Sequence, residues 1–171
     1  MNLSDLEAVV RALDGAGVRF VVVGGLAVAL HGYSRATYDL DLVVGLEPGN
    51  IVAAFGALER LGYRPLVPVT AAQFADSAVR RRWIEEKGMK VLNFHSDRHR
   101  ETSIDIFVSE PFDFKQEYEN AYLQELIPGA PLRVARLETM IAMKRAAGRR
   151  KDLADVDELM RIKAALDGKK P

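Results

Sequence analysis

Asp39 and Asp41 stand two residues apart in Asp39-Leu40-Asp41-Leu42-Val43-Val44, and Asp105 stands inside Ser103-Ile104-Asp105-Ile106-Phe107-Val108. Side chains alternate between faces along a strand, so Asp39 and Asp41 point one way while Leu40 and Leu42 point the other. Two carboxylates one strand repeat apart repel each other unless a cation lies between them. Magnesium, or manganese in its place, is the hard-oxygen solution. Ahead of the pair, Val21-Val22-Val23 runs into Gly24-Gly25. Glycine lets the backbone turn sharply and lets a ligand come close, because no Cβ intervenes. A short helix is predicted from Leu26 to Leu30, closed at Gly32, with free N–H groups facing any anion over the glycines. Singly, Gly-Gly is a bend and Asp-x-Asp is the wet face of an edge strand. Together and in this order they predict a nucleotide phosphate held beside a divalent metal.

The elements that must position these groups can be traced along the chain. Leu6, Val9, Val10 and Leu13 form a helical stripe, with Ser4 as N-cap and Gly15 as its end. Phe20 to Val23 reads as a core strand. Asn50 is placed to cap a helix with Phe55, Leu58 and Leu61 inward, closed by Gly62. Residues 71 to 87 read as one helix ending at Gly88. Val91, Leu92 and Phe94 lead into a strand, and Ser96 to Glu101 form the hairpin turn to the Asp105 strand. Pro128, Gly129 and Pro131 mark the boundary before a helical tail. This order predicts an α+β fold with a mixed β-sheet, flanking helices on one side and a helical C-terminal tail. A single domain is expected over residues 1–171, with its core at about 18–110 and the tail at about 135–168.

In the tail, Met140, Ile141 and Ala147 make an apolar face, and Lys144 falls on the same stripe. Lysine is rarely buried without a partner, so its ammonium either reaches a cleft, toward phosphate or a site carboxylate, or snorkels to water. Asp152 reads as the N-cap of a last helix and Asp155 as favouring its dipole, which accounts for both acids without catalysis. Arg149-Arg150-Lys151 and Arg80-Arg81-Arg82 are charge runs that read as solvated surface, and Trp83 reads as core. Arg35 and Thr37 lie between the glycines and Asp39, where a triphosphate would pass, and Arg35 is favoured as a phosphate ligand. His31 reads as structural. His95 and His99 lack the spacing of a zinc site.

Val23-Gly24-Gly25, the thirteen-residue gap and Asp39-Leu40-Asp41-Leu42 resemble the hallmark of the DNA polymerase β-type nucleotidyltransferase superfamily. Asp105 matches its third carboxylate. Gly24-Gly25-Leu26-Ala27, His31-Gly32, Arg35, Thr37 and Asp39-Leu40-Asp41 are most similar to the bacterial abortive-infection and toxin–antitoxin type members, as is the tail with Leu137, Ile141, Lys144, Arg150-Lys151-Asp152 and Asp155. The resemblance covers about residues 18 to 160, with no motif matched between 63 and 100. It implies transfer of a nucleoside monophosphate from a nucleoside triphosphate to an acceptor hydroxyl. Asp39, Asp41 and Asp105 would be the catalytic and metal-binding residues, and Gly24, Gly25, Arg35, Thr37 and Lys144 the nucleotide-binding ones. It implies a tRNA end, a protein or a small molecule as acceptor, and a cognate antitoxin or toxin as partner. Gly25 stands where the best-characterised polymerase-like members carry Ser, which leaves only backbone N–H groups for the phosphate. Two other readings use the same residues: a non-catalytic nucleotide-binding or protein-interaction module, and a two-metal phosphohydrolase.

The 171 residues, about half of them apolar, suffice for a real core. Acids and bases balance at 24 each, so no global field draws in a polyanion. Cys is absent, which excludes disulfides and thiolate metal sites and suits a reducing cytoplasm. Met1-Asn2-Leu3-Ser4-Asp5 lacks the basic start of a signal peptide, and the apolar run from Phe20 to Leu30 is too short to span a bilayer. A cytoplasmic protein without membrane contact is expected.

Overall fold

The computed structural model describes residues 1–34 and 36–168. The chain runs α1 (Leu3–Gly15), β1 (Phe20–Val22), α2 (Gly24–Leu30), β2 (Asp39–Val44), α3 (Pro48–Arg60) and β3 (Tyr63–Pro65). It continues through α4 (Ala71–Ala75), α5 (Ser77–Lys87), β4 (Val91–Ser96), β5 (Ser103–Phe107) and α6 (Phe114–Asn120). It closes with β6 (Tyr122–Ile127), β7 (Ala130–Val134), α7 (Leu137–Ala147) and α8 (Arg150–Asp167). The strands form one mixed sheet in the order β3-β4-β5-β2-β1-β7-β6.

Register explains how the two faces differ. β2 and β5 run parallel with Leu40 opposite Ile104 and Asp41 opposite Asp105. β4 runs antiparallel to β5 with Phe94 opposite Ile104 and Asn93 opposite Asp105. Leu40, Leu42, Leu92, Phe94, Ile104 and Ile106 are therefore one phase of the pleat, and all are buried. Helix α3 covers that phase: the Phe55 ring meets Phe94 at 5.1 Å and, on α4, Phe74 at 5.4 Å. Asp39, Asp41, Ser103, Asp105 and Asn93 occupy the other phase, which faces a cleft closed by α7 and the start of α8. Helices thus stand on both sides of the sheet.

Several local expectations are corrected. Asn2, not Ser4, caps α1, its side chain accepting from Ser4 N. Asn50 is not a cap. Glu47 precedes Pro48 at the start of α3, and the Asn50 amide instead accepts from Arg19 N and donates to the carbonyls of Arg19 and Gly45. That clasp fixes the entry to β1 against the exit from β2. The single helix expected over 71–87 is two. Thr70 and Gln73 form a capping box for α4, and Asp76 starts α5 by accepting from Ala78 N and Val79 N. Gly88, at φ +60°, ends α5 as expected. The segment taken as a boundary before the tail is a hairpin, with Gly129 at φ +71° turning β6 into β7.

Candidate active site

The site is built where β1 gives way to α2. The N–H of Val23 donates to the carbonyl of Asp41 at 3.0 Å, so the chain leaves β1 directly beside β2. Helix α2 begins at Gly24 itself, two residues earlier than expected, with Gly24 at φ +67°. A Cβ on Gly24 would lie 1.8 Å from Asp41 Oδ2 and 2.3 Å from its Cγ. The Asp41 carboxylate therefore occupies the space that a side chain at position 24 would need, and it accepts the N–H of Gly25 as well. Glycine at 24 serves a close approach and a left-handed turn at once.

Burial pushes the Asp41 carboxyl up to about 6, with Asp105 and then Asp39 adding repulsion, against the Gly25 N–H and the more distant Lys144 ammonium. Burial also raises Asp105, and Asp39 adds to it, while Asn93 Nδ2 donates to Asp105 Oδ1 at 2.7 Å and works the other way. Asp39 is exposed, and Ser103 Oγ donates to its Oδ1 at 2.5 Å. Thr37 Oγ1 donates to the carbonyl of Asp39 at 3.3 Å. Asn93 and Ser103 were not singled out in the sequence. Their signal was alternation: Ser103 shares a pleat phase with Asp105, and Asn93 lies opposite it.

Gly24, Gly25, Thr37, Asp39, Asp41, Asp105 and Lys144 all line one cleft of about 820 Å³, which is within the usual range for a ligand site. Arg35, the remaining predicted phosphate ligand, lies outside the described residues. Among the described residues no three acids or histidines are drawn together into a ready-made metal cage. Magnesium does not require one, since it is held by one or two carboxylates together with waters and substrate phosphate. Asp39 and Asp41 on one face of β2, with Asp105 opposite Asp41 on β5 and the carboxylates raising one another, are a donor set that a hard divalent ion fits.

Lys144 neither snorkels to water nor pairs with Asp41. Its Nζ lies 2.8 Å from Asp155 Oδ2 and 3.1 Å from Asp152 Oδ1, with 8% of its side chain exposed. The capping roles expected for the two acids are corrected accordingly. Arg149 holds the N-cap position of α8, and Asp152 and Asp155 are buried partners of Lys144. Burial alone would raise the Asp152 carboxyl, but Arg149 and Lys144 outweigh it and hold it below its ordinary value. Arg149 and Lys151 also line the cleft, whereas Arg80 is buried against the Phe74 carbonyl. The start of α7 is set by buried Glu117, which accepts from Arg136 N at 2.6 Å and from Thr139 Oγ1 at 2.7 Å. His31 is structural as expected, with its Nε2 bonded to the carbonyl of Ala135 at 2.7 Å. His99 pairs with Asp5 at 2.7 Å.

A family model described as the nucleotidyl transferase AbiEii toxin of type IV toxin–antitoxin systems matches residues 7–170. The chain belongs to this family. Among solved structures, ANT(2'')-Ia in complex with adenylyl-2''-tobramycin is similar over 98% of this chain and 97% of its own, at 14% identity and a TM-score of 0.56. The solution structure of the same antibiotic-resistance factor is similar over 98% and 91%, at 15% identity and a TM-score of 0.56. An antigenic nucleotidyltransferase-like protein from Paracoccidioides brasiliensis is similar over 94% and 74%, at 16% identity and a TM-score of 0.55. At these identities the likeness is one of fold, and it extends the AbiEii assignment to a nucleotidyltransferase-like sheet. No curated protein matches the chain. No helix among the described residues is long and apolar enough to cross a membrane.

Proposed function

We propose that this AbiEii-family chain transfers a nucleoside monophosphate from a nucleoside triphosphate to an acceptor hydroxyl, with Mg2+ or Mn2+ bound at Asp39 and Asp41. The observation that carries the reading is Asp41 in register with Asp105 on adjacent parallel strands, over a glycine that admits no side chain. A divalent ion bound there would neutralise charge on the triphosphate and on the group that leaves. The backbone at Gly24 and Gly25, the loop at Thr37, and Lys144 beside Arg149 and Lys151 form the walls along which a triphosphate is held. Asp105, oriented by Asn93, takes the proton of the attacking hydroxyl. The hydroxyl oxygen bonds to the α-phosphorus, the bond from that phosphorus to the bridging oxygen breaks, and pyrophosphate leaves in line. The family's place in type IV toxin–antitoxin systems supports a toxin role with a cognate antitoxin.

The test incubates the protein with each α-labelled triphosphate, Mg2+ and a cell extract. Covalent label on an acceptor and release of pyrophosphate are expected, both lost in Asp41→Asn. Triphosphate hydrolysis without labelled product would overturn transfer.

A further inference from the structure

The cleft extends well past the three aspartates, and its far part has a different chemistry. In the sheet order β5-β2-β1, the glycines that follow β1 lie on one side of the Asp39 and Asp41 strand, and Asp105 lies on the other. In-line displacement requires the attacking oxygen to approach opposite the departing pyrophosphate. With the triphosphate over α2 and the α7–α8 cations, the acceptor enters from the β5 side. That side is walled by Phe107 on β5, Val91 opposite it on β4, Met89 just before β4, Phe112 after β5 and Ile84 on α5. Phe107, Phe112 and Met89 pack against the core yet keep accessible surface, and Ile84 is a large apolar side chain left 38% exposed at the rim. Phe107 follows Asp105 by two residues on the same pleat phase, about 7 Å further along the strand.

Charge narrows the occupant. Lys144 and Arg149 are already held by Asp152 and Asp155, so the uncompensated cations among the described cleft-lining residues are Lys90 and Lys151, and the acids lining it are Asp39, Asp41 and Asp105. Once those three are engaged in metal binding and proton transfer, no carboxylate is left to receive an acceptor's ammonium groups.

Building on the transfer reading above, we infer that Ile84, Met89, Phe107 and Phe112 form the acceptor subsite, and that it takes an acceptor without ammonium groups, bearing a flat apolar ring about 7 Å from its reacting hydroxyl. The ring lies against aromatic and thioether surface, which favours offset stacking and sulfur contacts. Polyamine-like acceptors are rejected, because the exposed Lys90 and Lys151 repel them.

The experiment uses the full chain with Mg2+ and a saturating non-hydrolysable triphosphate analogue. Phenyl β-glucoside, methyl β-glucoside and spermidine are titrated as probes of ring, sugar and polycation, and binding is followed by ligand-observed NMR. The phenyl compound is expected to bind at least tenfold more tightly than the methyl one, with no binding of spermidine. Phe107→Ser should erase that preference without changing affinity for the analogue. Ile84→Ser, at a rim position 38% exposed, should reduce it several-fold. Equal binding of the two glucosides, a preference that survives both substitutions, or tighter binding of spermidine would overturn the subsite. Failure of the wild-type chain to bind the triphosphate analogue at all would instead overturn the transfer reading on which it rests.

Discussion

The Asp41 carboxylate fills the position that a Cβ on Gly24 would claim, 1.8 Å from where that carbon would stand. The two residues belong to different elements, and one cannot gain a side chain without displacing the other.

Gly24→Ala is therefore expected to push Asp41 out of line as well as to strain a backbone at φ +67°, a conformation that costs a residue with a side chain roughly 1–2 kcal/mol. Calorimetry with Mg2+ and a non-hydrolysable triphosphate should show at least a tenfold loss of affinity, with a lowered unfolding temperature. Wild-type affinity in a folded Gly24→Ala protein would remove Asp41 from the nucleotide site.

The raised Asp41 carboxyl makes a pH prediction for the metal-free protein. Its value moves from the ordinary 3.8 to about 6 on folding, so the folded state holds the proton more tightly than the unfolded one. The resulting contribution to stability is complete below about pH 4 and is lost as pH rises through 6. In EDTA, wild type should gain stability relative to Asp41→Asn between pH 7.5 and pH 5, as read by urea unfolding. Mg2+ affinity should fall over the same interval, because the ion must displace that proton. Parallel stability profiles for the two proteins would contradict the assignment.

Asp105→Asn keeps the side chain's shape and removes its basicity. Triphosphate binding should survive, while single-turnover transfer should fall by roughly two or more powers of ten, the scale of lost general-base help. Transfer near the parental rate would take Asp105 out of the chemistry.

Lys144→Met would leave Asp152 with Arg149 alone and withdraw from Asp155 an ammonium at 2.8 Å. Breaking a buried pair from one side costs roughly 3 kcal/mol or more. Lys144→Met combined with Asp155→Asn should recover part of that loss, and a double-mutant cycle in urea measures the coupling. If the two substitutions add with no coupling, the 2.8 Å contact contributes nothing to stability.

The carboxylate strands were legible because polar and apolar residues alternate strictly over Asp39 to Leu42 and Ser103 to Ile106, and both strands are interior to the sheet. Their mutual register was not legible, since parallel neighbours 64 residues apart leave no local mark. Asn50 and Asp152 were misplaced for a common reason. A short polar side chain near a helix start satisfies a cap and a distant partner equally well on paper, and only the fold reveals Gly45 for one and Lys144 for the other. The 71–87 segment kept its helical period straight through Asp76, so the break was hidden in a residue that starts a new helix. β6 and β7 were missed because β6 is an edge strand with a register shift near Gln124, and the prolines around Gly129 read as interruption, not as a tight turn.

β1 lies between β2 and β7, and its Val22 pairs with Val134. A growing polypeptide leaves the ribosome from its amino end, so the glycine turn and all three aspartates emerge while β1 still has one bare edge. The ammonium of Lys144 and the acids that clamp it come later still. A half-made chain therefore carries Asp39, Asp41 and Asp105 on an open sheet face, and the cleft exists as a cleft only once α7 and the start of α8 have been added.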